Sequence, residues 1–501
     1  MTATRTRDKA SAGGAGGAGA TGTGRAGGTG GGTLHAGLTR RQISMMGLGG
    51  AIGAGLFVGS GQAISMAGPA VLVSYLVAGT VVILVMSALA EMVAANPSAG
   101  SFSAFAQQAF GRPTGGAVGW LYWIQLVVVV AAEATGAAEI VAGYVPAVPQ
   151  WAWVLLFVVA LTAVNLLGVN NYGRFEYWFS FIKVAAIVVF LAVGVAAILG
   201  LVPGVPGTGL SHLSDHGGFA PTGWAGMAAA VLIVLFSFGG TEVVSIAAAE
   251  SDDPRRNIKD TVRQVMVRIL VFYIGSLLVI IAVLPWDSSS VATGPFAAVL
   301  ATLHVPGVDL LMSAVVVVAL LSAMNTNIYG ASRMIFSLGR RRLAPAALSR
   351  VYGGGVPRAA VLASVAFCVV SVLLNLVLPD VVLPLLLNVV GSTVLVLWCF
   401  IVASQMMLRL RADRSGTVLP LRMWAFPWLT GLAMVLLLAM LGLAMTDTSA
   451  RNQLLLTLGL TVVLGVLVAL TGRRGTPADE VDEAQDATKD KAKDGAPADV
   501  A

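Results

Sequence analysis

Charge is scarce in this chain. Of its 501 residues only 11% are charged and there are four histidines and two cysteines, whereas 57% are hydrophobic and the mean hydropathy is +0.86. A soluble protein of this length carries about 25% charged residues, so a soluble multidomain protein is excluded. Cys368 and Cys399 lie far apart inside apolar runs, which argues against a disulfide framework and against a thiolate metal site. No Gly-x-Ser-x-Gly elbow, His-Glu-x-x-His pair or Walker-type phosphate loop is present, so a membrane hydrolase and an ATP-driven pump are both disfavoured. His212 and His216 stand four apart with Asp215 between them, but in the Gly-rich loop GTGLSHLSDHGGF, which does not make a helical metal pair. No cofactor and no metal are expected.

What the chain has instead is repeated apolar runs of the length needed to cross about 30 Å of hydrocarbon. Twelve spans are read, at 42–66, 69–94, 117–144, 150–168, 177–201, 223–249, 262–284, 309–333, 359–378, 381–408, 423–445 and 453–471. The expectation is an all-α polytopic membrane protein. Residues 1–37 form a Gly/Ala/Thr tract without an apolar core, and 473–501 a polar tract of mixed charge; both are read as disordered tails rather than targeting segments. Asn96–Arg112 is too polar to span and is placed along the interface. With both termini in the cytoplasm, all but two of the 30 lysines and arginines fall on that side. Arg451 lies outside and Lys183 within a span. This asymmetry fixes the orientation by the positive-inside rule and requires an even number of spans. It also accounts for the net charge of +6 without a nucleic-acid partner.

Glycine, at 59 residues, is abundant, and its densest stretch in a span is GLGGAIGAGLFVGSG, Gly47–Gly61. One reading is helix packing, since Gly49/Gly53 and Gly55/Gly59 are GxxxG pairs. The other is a helix broken around Gly53-Ala54-Gly55, because each glycine costs about 1 kcal/mol relative to alanine in a helix. Span six carries a second interruption, FSFGGTE, Phe236–Glu242. If spans one to five and six to ten are two repeats, the interruptions correspond, and paired breaks point to a transporter binding site. Free N–H groups at such a break suit a carboxylate and free carbonyls suit an ammonium, so together they suit a zwitterion.

The order of several stretches resembles an amino-acid permease of the amino acid–polyamine–organocation superfamily, in its bacterial amino-acid transporter branch. They are AIGAGLFVGSG with AGPAVLVSYL, PSAGSFSAFAQQAFG, NNYGRFEYWFSFIKVAAIV, FSFGGTEVVSIAAAESDDPRRNI, NIYGASRMIFSLGRR and RMWAFPWLT. IAAAES and RMWAFPWLT look closest to GABA permeases. The resemblance covers about residues 38–470. It implies a transporter domain at 38–472 built as a 5+5 inverted repeat, about 42–201 and 223–408, with helices 1 and 6 broken and two further helices at 423–471. It also implies that the backbone amides of Gly53, Ala54 and Gly55 hold the substrate carboxylate. Ile52 and the Phe236-Ser237-Phe238 turn, with Gly239 beside it, would then offer carbonyls to the amine, and the phenylalanines would help close the site. Many relatives have Ser or Thr where Ala54 stands, so a hydroxyl contact is missing here.

Charged groups inside spans are functional candidates. For Lys183 two readings stand: a side chain snorkelling to the interface near Glu176, or a buried amine that releases and regains a proton. The resemblance favours the second, since a lysine in FEYWFSFIK stands in for a coupling cation. Glu133 and Glu139 are six residues apart on span three, hence on faces about 120° apart; Glu133 is mid-span and the candidate, Glu139 the solvated one. Glu242 follows the span-six break, either as a proton relay or gate or as an acceptor for freed backbone amides. Glu250 and Glu91 are read as structural partners of cytoplasmic arginines, and Ser322, Asn325 and Asn327 as helix–helix hydrogen-bonding groups. No acidic residue lies within the span-one break and no arginine is read inside a span. A small neutral amino acid or GABA therefore fits better than a dianion, and a basic substrate paired to Glu133 or Glu242 stays open. The function expected is proton-coupled import by alternating access. An exchanger, or a non-transporting sensor on the same scaffold, is the alternative.

Overall fold

The structure is a computed structural model, and it describes residues 52–471 except 98–99, 168, 203–206, 244, 246–261, 263–266, 303–306, 352–355 and 378. The two expected tails, the first ten residues of span one and Glu250 lie outside the described residues. Every regular element described is helical. Six stretches are long and apolar enough to cross a membrane, among them Arg112–Tyr144, Val308–Arg340 and Thr448–Thr471, and five shorter apolar helices accompany them. The chain is a multi-pass membrane protein.

Chain order gives a π-helical turn at Gly55–Gly59, then α1 (Ser60–Ala67), α2 (Val71–Ala95), α3 (Ser101–Phe110), α4 (Arg112–Tyr144), α5 (Gln150–Leu166), α6 (Val169–Ile198) and α7 (Gly223–Phe236). After a second π-helical turn at Ile269–Ile274 come α8 (Gly275–Val283), α9 (Ser289–Thr293), α10 (Pro295–Ala301) and α11 (Val308–Arg340). The last are α12 (Arg358–Ala366), α13 (Cys368–Val377), α14 (Pro379–Arg414), α15 (Trp428–Ala444) and α16 (Thr448–Thr471). Glycine and proline set the corners. Gly68 at φ +61° with Pro69 after it separates α1 from α2, and Gly111 at φ +94° followed by Pro113 turns α3 into α4.

The long helices α4, α11 and α14 form the centre of the bundle, with α11 and α14 both packed along α4 and α7 against α14. Their moments are weak because they are apolar all round, as buried or lipid-facing helices are. Outward-facing Leu, Val and Trp side chains on α5, α6, α15 and α16, such as Val159, Val189, Val435 and Val462, match a lipid solvent rather than water.

Two peripheral polar knots hold the ends. Glu91 of α2 is buried and accepts from Arg409 Nη1 at 2.9 Å, Gln405 Nε2 at 3.0 Å and the Met423 backbone N–H at 2.6 Å. Its structural reading stands, and RMWAFPWLT contributes through Met423 and through Phe426, whose ring faces Arg409 at 5.2 Å. The ten-residue α3 is about 15 Å long, too short to span. It is more buried than an interfacial helix needs to be, with Phe102 and Phe105 at 1%, and Arg341 and Arg411 hold its ends.

Candidate functional site

Ile52 and Gly53 are non-helical, and helix begins only at Ala54 before the π turn. On the facing segment α7 stops at Phe236, and Ser237–Glu242 runs as turns with Gly240 at φ +87°. The two interruptions meet. A Cβ on Gly55 would overlap the Ser237 Cα, so only glycine allows the two backbones this approach. Ser237 ties them: its hydroxyl donates to Gly55 O at 2.7 Å and bonds Tyr75 Oη at 2.8 Å, while Tyr273 Oη donates to Ser237 O at 2.7 Å. The close-packing reading therefore holds at Gly55; Ile52 and Gly53 are non-helical, and the half-helix that a break would need before them, 42–51, lies outside the described residues.

The exposed backbone groups of Ile52–Ala54 are gripped by two buried side chains. Glu133 of α4 accepts from the Ala54 N–H through both carboxylate oxygens, at 3.0 and 3.2 Å. A Cβ on Gly53 would overlap that same carboxylate. From α6, Lys183 Nζ donates to Ile52 O at 3.3 Å. Lys183 is fully buried, which rules out snorkelling. Its other neighbour is Glu176, at 3.9 Å. The sequence reading put Glu176 near the interface; it is instead fully buried, accepting from Ser180 at 3.0 Å and from Ser322 at 2.9 and 3.0 Å. Seven residues, about two α-helical turns, separate it from Lys183, which returns both to the same face.

A cavity of about 10 Å³ remains between Gly55, Val129, Glu133, Phe236, Ser237, Gly239, Ala323 and Asn327, room for about one water. Of the expected substrate-binding residues, Gly55, Phe236, Ser237 and Gly239 line it. Phe238 does not; it stacks on Tyr273 at 4.8 Å and edge-on to Tyr75 at 5.6 Å, behind the turn. Three carbonyls expected to take an amine are engaged within the protein: Ile52 O by Lys183, Ser237 O by Tyr273 and Phe236 O by the Gly239 N–H at 3.0 Å.

Glu242 is buried but stands apart from this cluster. It accepts from Gln125 Nε2 at 3.2 Å and from Thr241 Oγ1 at 3.2 Å. Gln125 precedes Glu133 by eight residues on α4, about 12 Å along the helix. Glu139 is exposed, as expected from its place toward the outer end of the span. The expectation of no arginine within a span is corrected. Arg268 is fully buried just before the second π turn and near enough to Glu242 for their charges to interact, and Arg333 is buried on α11 with its guanidinium 3.9 Å over the Tyr329 ring. Neither lines the cavity. On α11 the helix–helix reading holds for Asn325, which accepts from Asn165 at 2.8 Å, and for Ser322. Asn327 differs, since its amide nitrogen bonds only its own helix, at Ala323 O, 2.8 Å. His212 caps Ala282 O at 3.0 Å and His216 faces Asp287 at 3.4 Å; among the described residues no cluster could hold a metal.

Tyr75, Tyr273 and Asn327 join the site without having been foreseen. Tyr75 did lie within a stretch that carried the resemblance, AGPAVLVSYL, but as a lone tyrosine in an apolar span it gives no signal of its own.

Residues 42–481 match the amino acid permease family. The chain is 46% identical over 442 residues to the aromatic amino acid transport protein AroP of Corynebacterium glutamicum, covering 87% of this chain and 95% of that one. It is 41% identical over 444 residues to a probable GABA permease of Pseudomonas aeruginosa, covering 88% and 94%. With the gamma-aminobutyric acid permease of Escherichia coli it shares 42% over 400 residues, 80% and 86% of the two chains. A bundle of apolar helices built around two facing backbone interruptions, matched over nearly its whole length, places this chain in the amino acid permease family.

Proposed function

We propose that the protein imports a small neutral amino acid or GABA together with a proton, by alternating access, across a bacterial cell membrane. The observation that carries this reading is the way the protein treats its own broken helix. The free N–H of Ala54 is bound by a carboxylate, Glu133, and the free carbonyl of Ile52 by an ammonium, Lys183. The break thus accepts the two charged groups that every zwitterionic amino acid carries. A substrate carboxylate reaching Ala54 N–H must displace Glu133, and a displaced, buried carboxylate is costly unless it takes a proton. Glu133 and Lys183 then form the coupling pair, and Glu242 with Gln125 and Arg268 forms a separate relay or gate.

In this reading the chain has twelve spans, a 5+5 inverted repeat at about 42–201 and 223–408 and two further helices at 423–471, with the tails 1–37 and 473–501 in the cytoplasm. The two broken segments rock with their neighbours against α4, α5, α11 and the α12–α13 pair, exposing the cradle to one side at a time. The membrane potential contributes about 2.3 kcal/mol per charge per 100 mV. A second reading, favoured by the match to an aromatic amino acid transport protein, places an aromatic side chain beside Phe236 and Val129 after the cavity opens.

Uptake of labelled GABA, alanine, proline, phenylalanine and lysine into proteoliposomes tests this, with and without an inward proton gradient and with Lys183→Ala in parallel. Gradient-stimulated uptake that the variant loses is expected. Uptake only into vesicles preloaded with amino acid would replace symport by exchange, and a phenylalanine preference would select the second reading.

A further inference from the structure

The cavity between the two broken segments holds one polar atom that neither the fold nor the proposed coupling uses. Asn327 is 4% exposed, on α11. Its amide nitrogen is fixed by Ala323 O at 2.8 Å, which sets the orientation of the group and leaves Oδ1 as the other end. Oδ1 has no hydrogen-bond partner among the described residues. It faces the turn of the second interruption: a Cβ on Gly240 would lie 3.9 Å from it, in ordinary contact. One turn back on the same helix, Ala323 packs against Gly53, where a Cβ would approach its methyl to 2.7 Å. Asn327 and the cradle at Gly53-Ala54 therefore share one wall, and Asn327 and Glu133 line one cavity.

A buried acceptor without a partner costs free energy and calls for a reason. Three of the carbonyls expected to take an amine, those of Ile52, Ser237 and Phe236, are already held by Lys183, Tyr273 and the Gly239 N–H. An ammonium entering this cavity brings three donors and meets Asn327 Oδ1 as a side-chain acceptor without a partner among the described residues. The geometry points to Asn327 as a substrate-binding residue that selects for a primary ammonium, while Ala54 N–H takes the carboxylate. This assignment rests on the transport reading above and names the group within it that reads the amine.

The test compares paired ligands that differ only in the amine. Binding of phenylalanine against 3-phenylpropionate, and of GABA against butyrate, is measured on the purified full chain in nanodiscs, for the wild type, Asn327→Ala and Asn327→Asp. The wild type is expected to prefer the amine-bearing member of at least one pair by about tenfold or more. In Asn327→Ala that preference falls by about tenfold while the des-amino carboxylate binds as before, and in Asn327→Asp, which keeps an acceptor, the preference is maintained or enlarged. An undiminished preference in Asn327→Ala overturns the assignment. Should Asn327→Ala bind neither member, Asn327→Asp decides: a preserved preference supports the role and a collapsed one overturns it. A wild type that binds no amine-bearing ligand overturns the transport reading itself, and this assignment with it.

Discussion

Replacing Glu133 by glutamine separates two opposite roles for the carboxylate at the cradle. Both oxygens of Glu133 accept from Ala54 N–H, at 3.0 and 3.2 Å, and the group is buried between α4 and the π turn. A hydrogen bond to a charged acceptor contributes about 1.5–3 kcal/mol and a neutral one about 0.5–1.5 kcal/mol. Glutamine retains one acceptor, so the group that a substrate carboxylate must displace is held about 1–1.5 kcal/mol less tightly. If Glu133 competes with substrate, Glu133→Gln binds its amino acid about five- to tenfold more tightly at neutral pH. The pH dependence is changed as well. Protonation of Glu133 weakens its grip and eases its displacement, so wild-type affinity falls as pH rises, whereas the glutamine variant lacks this contribution. Gradient-driven accumulation is lost in the variant because the displaced side chain no longer carries a proton. Equilibrium binding between pH 5.5 and 8.5, with uptake on the same preparations, measures all three. A Glu133 that served as counter-ion to the substrate ammonium would give the reverse sign. Weaker binding in Glu133→Gln with an unchanged pH profile refutes the competition argument.

Two further outcomes follow from the packing. Gly55→Ala drives a methyl into the Ser237 Cα and forces the two interruptions apart; overpacking of this kind costs about 1–3 kcal/mol, and loss of substrate binding with a lowered melting temperature in detergent is expected, whereas normal binding would show that the close approach is dispensable. Arg409→Ala leaves the buried Glu91 with Gln405 and the Met423 amide but no cation; breaking a buried pair costs about 3–5 kcal/mol, so melting should fall steeply while the affinity of whatever protein remains folded is unchanged, and a shift in affinity would connect this knot to the site.

The non-helical chain at Ile52 and Gly53 was legible because glycine density is a local property: seven glycines in the fifteen residues of Gly47–Gly61 make unwinding cheap whatever surrounds them. Glu133 and Lys183 were legible because an ionised group within an apolar run is costly and needs a use. Position along the span also transferred directly, placing Glu133 at mid-span inside and Glu139 toward the outer end outside. What failed needed information between helices. Glu176 was read as the end of a span, yet α6 runs from Val169 to Ile198 and carries it into the core beside Lys183. Asn325 and Asn327 differ by two residues, about 200° around the helix, and composition cannot say which points at α5 and which at the cavity. Arg268 was counted on the cytoplasmic side although it falls inside the span read at 262–284, and the chain buries it just before the π turn.

Ala54 bears on selectivity. At Ala54 the side chain is only a methyl, and the group that Glu133 holds is the backbone N–H, which any residue but proline supplies. If the backbone at Ile52–Ala54 binds substrate as proposed, it reads what all zwitterions share and is indifferent to what lies between or beyond their charged ends. The discriminating contacts must then come from side chains that line the cavity, Phe236, Val129 and Asn327. Such a division would let one cradle take aromatic amino acids and GABA alike, with substrate choice shifted by replacements on α4, α7 and α11. Substitutions at Ala54 should accordingly change affinity across a substrate panel by one common factor, while substitutions at Val129 or Phe236 should reorder the panel.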